Sequence, residues 1–402
     1  MNNLSNYWQA QTAIFAIIFA IAVFVSLRKK SECGAMPKEA SNELRGLAIL
    51  GVIFAHLTYG KFYGTGFLFP LGIWSGIVVN LFFFLSGFGL AASSIYHPKP
   101  IRDFYLKRVG KIYLPHWLTL TVLLIADAAL LNRFYPTREI IFSFLGFFPK
   151  ANLFDSLNSP LWFLTPLLFY YLVFPWLFKA DHPRRSAVLV FVASGLLLWT
   201  GWPVSSQIHE FYQTHWLAFP LGVLFAVFVV SPRTICASCG RKLRCHLYCW
   251  LRFIRSKIFG RDIRIKPLAR IIIKLKSSPA FWRWPAVIIL AFLAWQTAYH
   301  SGVGRGVCIE QAYALFTMIC LISLSIFKKT KFALLEIIGV YSFEIYLIHW
   351  PLVSRYDVFY EILPPWLATL AFLSAVMILA VLFNRLWRLL GQTVFGRKSI
   401  RP

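Results

Sequence analysis

The chain has 402 residues, of which 58% are hydrophobic and only 14% are charged. A soluble protein of this size needs more polar residues to cover its surface, so the composition excludes a soluble globular domain and indicates a multi-pass membrane protein. The net charge of +26 would suggest a nucleic-acid partner in a soluble protein, and here its distribution along the chain decides its meaning.

Eleven apolar stretches are long enough to cross a bilayer, which takes about 17 to 25 helical residues. They lie near residues 10–27, 44–60, 71–93, 111–131, 160–178, 186–202, 215–231, 284–300, 308–327, 333–353 and 365–384. The first has no Lys or Arg before it and three basic residues after it, Arg28 to Lys30, so it is an anchor with its N-terminus outside and not a cleaved signal peptide. The sequence therefore predicts an all-α polytopic protein with a cytoplasmic C-terminus.

Basic residues are concentrated in the loops that this topology assigns to the cytoplasm. Of the 41 Lys and Arg residues, 35 fall on that side and six on the outer side. This bias is the positive-inside rule, so the charge reflects topology and argues against nucleic acid as a partner. The inner loop 232–283 has 14 basic residues and one acid, Asp262, which predicts contact with anionic lipid headgroups of the inner (cytoplasmic) membrane.

The chain shows no internal repeat and no Ser-Gly linker, which predicts a single membrane domain. We divide it into an additional N-terminal helix with its linker at 1–42, the membrane domain at 43–384, and a basic cytoplasmic tail at 385–402. The outer segment 132–159 contains a predicted interfacial helix from Arg138 to Phe148.

One predicted helix carries a cation near its start and a histidine inside the bilayer, Arg45 and His56. Eleven residues apart on an α-helix, they share one face within about 20° and lie roughly 16 Å apart along the axis. Ionisable residues inside a bilayer are costly, so both are candidate catalytic residues, although His56 could instead only hydrogen-bond a neighbouring helix.

The following two predicted helices add candidate ligand-binding residues. The stretch from Asn80 to Leu90 contains Ser86-Gly87, which either lets another helix pack closely or admits a ligand arm; helix packing is the commoner explanation. At the cytoplasmic start of the next helix stand Lys107, Arg108 and Lys111, which fit the positive-inside rule and equally the binding of phosphates. Asn80 and Trp162 are candidate substrate-binding residues.

A second intramembrane histidine, His349, lies in the span 333–353. Ser342 is within about 20° of its helix face and Tyr346 lies close to that face, while Glu344 is within a turn and a half. Two histidines and a carboxylate in apolar surroundings exceed what packing needs, so these residues are candidates for proton or acyl handling.

Seven cysteines are present, an odd number, and four of them lie in the basic loop: Cys236, Cys239, Cys245 and Cys249. With His246 these four are weak zinc candidates; free or palmitoylated thiols are the preferred interpretation, and no metal is expected. The remaining histidines are interpreted as interfacial: His97, His116, His182, His209, His215 and His300.

Five sequence elements together resemble the membrane acyltransferase-3 family, bacterial proteins that O-acylate cell-surface sugars. They are Arg45 and His56 at eleven-residue spacing, Phe83 to Phe88, Arg108-x-x-Lys111-Ile112 with Pro115, Leu161 to Leu164, and Ser342-x-x-Ile345-Tyr346-Leu347-x-His349-x-Pro351. The similarity covers residues 42 to 384, and the combination is specific although each element alone is weak.

The resemblance implies that acyl-CoA, usually acetyl-CoA, binds from the cytosol and gives its acyl group to an acceptor on the far side. Arg45, Arg108 and Lys111 would hold the CoA phosphates, and His56 would be the essential catalytic residue. The chain departs from the family pattern at Lys111, where a second Arg is usual, and at Phe343, where Tyr is common. Thr165-Pro166 follow Trp162 where many members carry an acidic stretch, which leaves the acceptor class open.

The sequence thus predicts an O-acyltransferase that moves an acetyl or other acyl group from cytosolic acyl-CoA to a hydroxyl of a surface glycan or lipid-linked sugar. The residues do not decide whether His56 acts as a base or is itself acylated. The alternative is a proton-coupled transporter or flippase of lipid-linked sugars, for which intramembrane His and Glu are also suited. Transporters often show inverted repeats and broken helix pairs, and neither is evident here. A glycan polymerase or ligase is less compatible, because its large basic loop would be expected outside.

Overall fold

The computed structural model describes residues 2–31, 36–148, 157–201, 206–230, 280–300 and 306–395. The helices are α1 Asn2–Val25, α2 Lys38–His56, α3 Phe69–Gly72, α4 Ser75–Tyr96, α5 Ile101–Arg108, α6 Leu114–Leu131, α7 Thr137–Leu145, α8 Leu164–Leu177, α9 Pro183–Thr200, α10 Ser206–Gln213, α11 Ala218–Val230, α12 Ala280–His300, α13 Val307–Phe327, α14 Ala333–Val340, α15 Ser342–Ser354, α16 Phe359–Ile362 and α17 Pro365–Phe395. Two strands, β1 Leu27–Lys29 and β2 Thr330–Phe332, form a small sheet. π-Helical turns occupy Leu57–Lys61 and Val109–Tyr113, and a 3₁₀ turn occupies Ser159–Phe163.

Seven segments of the described chain are long and apolar enough to cross a membrane: Ser5–Val25, Phe69–Tyr96, Ile101–Leu131, Pro160–Leu177, Phe211–Val230, Val307–Phe327 and Pro365–Gln392. The bent pair α14 and α15 makes an eighth if it is one span. Each of the eleven predicted spans coincides with helix, but the count of eleven is not confirmed: α2 begins with polar residues, α9 begins with Pro183-Arg184-Arg185, and the apolar part of α12 is short. The orientation of the termini stays a prediction.

Glycines set the closest helix contacts. A Cβ placed on Gly46 of α2 would lie 1.9 Å from the carbonyl oxygen of Leu335, and one on Gly339 of α14 would lie 1.7 Å from the carbonyl oxygen of Asn42. Helices in a bilayer gain contact by bringing backbones together at small residues. The α2–α14 contact therefore holds the start of α2, with Arg45, against the helix that leads to α15.

The span predicted over 333–353 is broken at Tyr341, where α14 and α15 meet at an angle of 79°. Tyr341 leaves the helical region with φ −103° and ψ 13°. The close glycine contact fixes α14 to α2, whereas buried Glu344 of α15 accepts hydrogen bonds from Asn384 and Trp387 of α17. Both halves contact α2, since His349 of α15 meets His56, but only α15 is also bonded to α17, and a hydropathy pattern does not record such contacts.

The N-terminal helix is attached to the rest of the protein after its C-terminal end and near its middle. β1 pairs antiparallel with β2, with Leu27 opposite Phe332. Near the middle of α1, the amide N–H of Leu68 donates to Thr12 Oγ1 at 3.0 Å. Leu68 is a non-glycine residue with φ +57°, an unfavourable conformation that the buried hydrogen bond helps to hold.

Two predicted boundaries shift slightly. The interfacial helix predicted from Arg138 to Phe148 is α7, which ends at Leu145 because Gly146 adopts φ +77°. The last helix continues past the predicted limit at residue 384 to Phe395.

A buried ionic network joins the end of α6 to the end of α15. Arg355 bonds Asp127, which is 0% exposed, and Tyr135 donates to the same carboxylate at 2.6 Å. Tyr356 donates to its other oxygen, and desolvation followed by the Asp127 hydrogen bond raises the pKa of Tyr356 to about 12. Both carboxylate oxygens of Asp127 therefore have partners, which is what makes a buried charge tolerable.

Candidate active site

A large cavity of about 1160 Å³ extends along α2 from Arg45 to His56. Both Arg45 and His56 line it, as predicted from their common helix face. Its wall has a basic part at the Arg45 end and an aromatic part toward the His56 end.

The basic part consists of four side chains: Arg45, Arg108, Lys111 and Arg388. Their positive charges repel one another. Lys111 is close enough to feel the charges of Arg108 and Arg388, and Arg45 that of Arg108. Among the described residues, no carboxylate forms an ion pair with any of the four. Unneutralised clustered cations are suited to a ligand with several negative charges, such as a chain of phosphates.

Aromatic rings hold the guanidinium of Arg108 in place. Its Cζ lies 5.1 Å from the ring centroid of Tyr171 and 5.4 Å from that of Phe104. Cation–π contacts orient the group without neutralising its charge. Arg108 therefore keeps its full charge for a ligand in the cavity.

At the other end of α2, the two intramembrane histidines are in direct contact. Nδ1 of His56 lies 2.9 Å from Nε2 of His349, and the rings are parallel within 8°. His349 is 1% exposed and is not among the described residues that line the cavity, whereas His56 is. His349 therefore supports His56 from behind.

The hydrogen bonds determine the tautomers of two neutral rings. Nδ1 of His349 lies 2.9 Å from the carbonyl oxygen of Tyr346 and 3.1 Å from that of Ile345, and since a carbonyl only accepts, this nitrogen carries the proton. Nε2 of His349 is then an acceptor, and His56 Nδ1–H donates to it. This leaves Nε2 of His56 with a free lone pair, the form that a general base or nucleophile requires.

The other candidates on α15 have different environments. Ser342 lines the cavity and is 6% exposed. Tyr346 also lines it, but its hydroxyl donates to the carbonyl oxygen of Pro160. Glu344 lines the cavity with one oxygen bonded to Asn384 and to Trp387, the latter at 2.9 Å.

Ser86 and Gly87 have different roles, one facing the cavity and the other packing against a helix. Ser86 lines the cavity. Gly87 does not; a Cβ there would lie 2.2 Å from the carbonyl oxygen of Phe219 on α11, so this residue serves helix packing.

Asn80 is placed behind the cavity wall and not on it. It is 0% exposed, and its Oδ1 lies 2.9 Å from Nδ1 of His215, which does line the cavity beside Trp162. His215 was interpreted as interfacial without further role, and the structure places its ring in the cavity wall with 6% exposure. His116 is likewise buried, with Nε2 2.8 Å from the carbonyl oxygen of Ser143.

Lys107 is placed outside the cavity wall. Lys107 is partly exposed and is not among the described residues that line the cavity, although it is within electrostatic range of Lys111. The four cysteines proposed as weak zinc candidates, Cys236, Cys239, Cys245 and Cys249, lie outside the described residues.

Sequence reasoning missed several residues of this site. Arg388 was assigned to the basic tail, where its position follows positive-inside expectation and gives no sign of a cavity. Tyr171 and Trp387 are aromatic residues among many in apolar helices. Only the packing of α8 and α17 around the Arg45 end brings them to the site.

The geometry defines a membrane protein in which a basic pocket and a buried histidine pair belong to one cavity, an arrangement suited to group transfer. The family model described as "Acyltransferase domain" matches residues 40–385, most of the chain. The protein therefore belongs to this family and is a membrane acyltransferase, which confirms the resemblance noted from its motifs. Neither a curated protein nor a solved structure matches the chain.

Proposed function

We propose that this protein transfers an acetyl or related acyl group from cytosolic acyl-CoA to a hydroxyl of a cell-surface or lipid-linked sugar. The observation that carries the proposal is the continuity of one cavity from the four cations to His56. CoA carries its phosphates at one end and its thioester at the other, joined by an uncharged arm. The basic part of the cavity would hold the phosphates, and the arm would bring the thioester toward His56.

The histidine pair suits the chemistry that this reaction needs. Nε2 of His56 would take the proton from the acceptor hydroxyl as its oxygen bonds to the thioester carbonyl carbon. The C–S bond then breaks, and the departing CoA thiolate takes the proton back from His56. His349 would hold His56 in the required tautomer and share the positive charge while it exists.

A relay through His56 is the alternative for the same atoms. Nε2 would attack the thioester itself, release CoA and form an acyl-imidazole, which the acceptor hydroxyl would then cleave. The two routes differ in one observable, an acylated protein in the absence of acceptor.

The test uses purified protein with radiolabelled acetyl-CoA, comparing the wild type with His56→Ala. CoA release and label on an acceptor are expected from the wild type, with a loss of at least about a hundredfold in the variant because a positioned base contributes that much. Label retained on wild-type protein without acceptor would identify the relay. Full activity in His56→Ala would refute the assigned role of His56, and a wild type that neither binds nor uses acyl-CoA would refute the proposed function.

A further inference from the structure

A second histidine in the cavity wall has the same hydrogen-bond arrangement as His56. Nδ1 of His215 lies 2.9 Å from Oδ1 of Asn80, and an amide oxygen only accepts, so Nδ1 carries the proton. In the neutral ring Nε2 then has the free lone pair. His215 lines the cavity and Asn80 is fully buried, so this unprotonated nitrogen is the one left for a ligand.

His215 belongs to an aromatic face within the cavity. The Trp162 ring lies 5.3 Å from that of Phe211 at an interplanar angle of 29°, and 6.2 Å from that of His215 at 27°. We refer to Trp162, Phe211 and His215 as the aromatic wall. It runs from Phe211, which is 44% exposed, inward to His215.

The aromatic wall lies toward the His56 end of the cavity. α4 and α11 run in the same direction, since Asn80 and His215 meet near their starts and Gly87 meets Phe219 further along. The ring of Phe163, next to Trp162, lies 6.1 Å from that of Tyr346, which in turn lies 6.1 Å from that of His349, the partner of His56. Arg45 is roughly 16 Å before His56 along the axis of α2, so the aromatic wall is outside the basic part.

The charge and shape of this region favour one ligand class. Among the described residues that line the cavity, every Lys and Arg belongs to the basic part, so the aromatic wall offers no cation to an anionic ligand. A sugar ring presents a flat face of C–H groups and an edge of hydroxyls. Aromatic side chains can bury the C–H face of the sugar, and a single acceptor nitrogen can orient its hydroxyl groups.

From these observations we infer that the aromatic wall is the acceptor subsite, that it takes a neutral sugar ring, and that His215 Nε2 accepts a hydrogen bond from a ring hydroxyl other than the one acylated. Asn80 is a positioning residue that keeps His215 in the accepting tautomer. This inference rests on the proposed function, since it assigns the acceptor to a place in the same cavity.

The first experiment measures accessibility of His215 without requiring turnover. Full-length protein in lipid nanodiscs, free of glycoside detergent, is treated with diethyl pyrocarbonate, which modifies unprotonated imidazole, and the modified histidines are mapped by mass spectrometry. A mixture of octyl glycosides of glucose, galactose, rhamnose and N-acetylglucosamine serves as the neutral probe, octyl glucuronide as the charged control, and CoA as the donor control.

We expect modification of His215 to be slowed about threefold or more by the neutral glycosides and much less by the glucuronide or CoA. An unreactive His215, protection by none of the probes, or equal protection by CoA would overturn the assignment. Equal protection by CoA would place the uncharged arm of CoA on the aromatic wall. His116, buried and outside the cavity, is the internal control and should show no ligand effect.

The second experiment uses His215→Asn, in which the amide nitrogen takes the place of Nδ1 and can still donate to Asn80 while Nε2 is absent. With a glycoside acceptor, its KM is expected to rise about three- to tenfold, the usual effect of one lost hydrogen bond, and the KM for acetyl-CoA to change less than twofold. His116→Asn, the matched control, should change neither. An unchanged acceptor KM in a His215→Asn protein that still transfers acyl groups would refute the inference alone, whereas absence of transfer in the wild type would refute the proposed function.

Discussion

His349 lies directly behind His56, with Nε2 2.9 Å from His56 Nδ1 and its own Nδ1 bonded to backbone carbonyls of α15. The backbone of one helix thereby sets the protonation pattern of a side chain on another. The lone pair that His56 presents to the cavity depends on a residue that does not reach the cavity.

Removing His349 should therefore impair catalysis more than binding. We expect His349→Leu to lower kcat by about tenfold or more with little change in acyl-CoA affinity, because His56 loses its orienting acceptor. His349→Gln should recover part of the loss, since its amide oxygen can accept the same hydrogen bond. Steady-state kinetics with a binding measurement checks this, and an unchanged kcat in His349→Leu would contradict it.

The basic part of the cavity should control donor affinity. Arg108→Gln, Lys111→Gln and Arg388→Gln are each expected to raise the KM for acyl-CoA by about tenfold or more, because each removes a charge-assisted hydrogen bond to phosphate. Lys107→Gln is the matched control from the same segment; it does not line the cavity and should have a clearly smaller effect. Equal effects at Lys107 and Lys111 would indicate that acyl-CoA is attracted by the overall positive charge of this surface and not by a defined binding site.

The α2–α14 contact should not tolerate a methyl group. Gly46→Ala and Gly339→Ala are each expected to destabilise the protein by about 1–3 kcal/mol, because the added carbon would meet a backbone carbonyl oxygen that cannot move without shifting a helix. Thermal unfolding of purified protein measures the effect. Gly195→Ala on α9 has no heavy atom within 4 Å of the new carbon and should have wild-type stability or slightly more. A stable Gly339→Ala protein would show that the helices separate easily.

Asp127 and Arg355 offer a test of the buried network. Asp127→Leu alone should cost about 3–5 kcal/mol, since it leaves the guanidinium of Arg355 buried without its partner. Asp127→Leu combined with Arg355→Leu is expected to recover part of that loss, as the double variant contains no unpaired charge. A double-mutant cycle on unfolding temperature measures the coupling, and strictly additive losses would refute it.

The alignment of Arg45 with His56 could be predicted from the sequence because both residues belong to one helix. Arg45 and His56 share a face by helical periodicity, and their separation needs no tertiary information. The helical membrane class follows in the same way from composition and apolar runs. These are local properties, and the structure preserves them.

Other parts of the site depend on contacts between distant segments. The hydrogen bond between His349 and His56 joins residues 293 positions apart. The one between Asn80 and His215 joins residues 135 positions apart. The bend at Tyr341 lies between the glycine contact of α14 with α2 and the bonds of Glu344 to α17, and hydropathy expresses neither contact. Arg388 differs in no local way from other basic residues near a helix end.

The pairing of β1 with β2 has a consequence for how the chain is made. Leu27 and Phe332 are opposite each other in the sheet but about 300 residues apart along the chain. At typical synthesis rates of about 5–20 residues per second, the partner strand leaves the ribosome roughly 15–60 s after β1 does. The first helix is therefore made long before its sheet partner, so β1 can pair with β2 only after most of the chain has been synthesised.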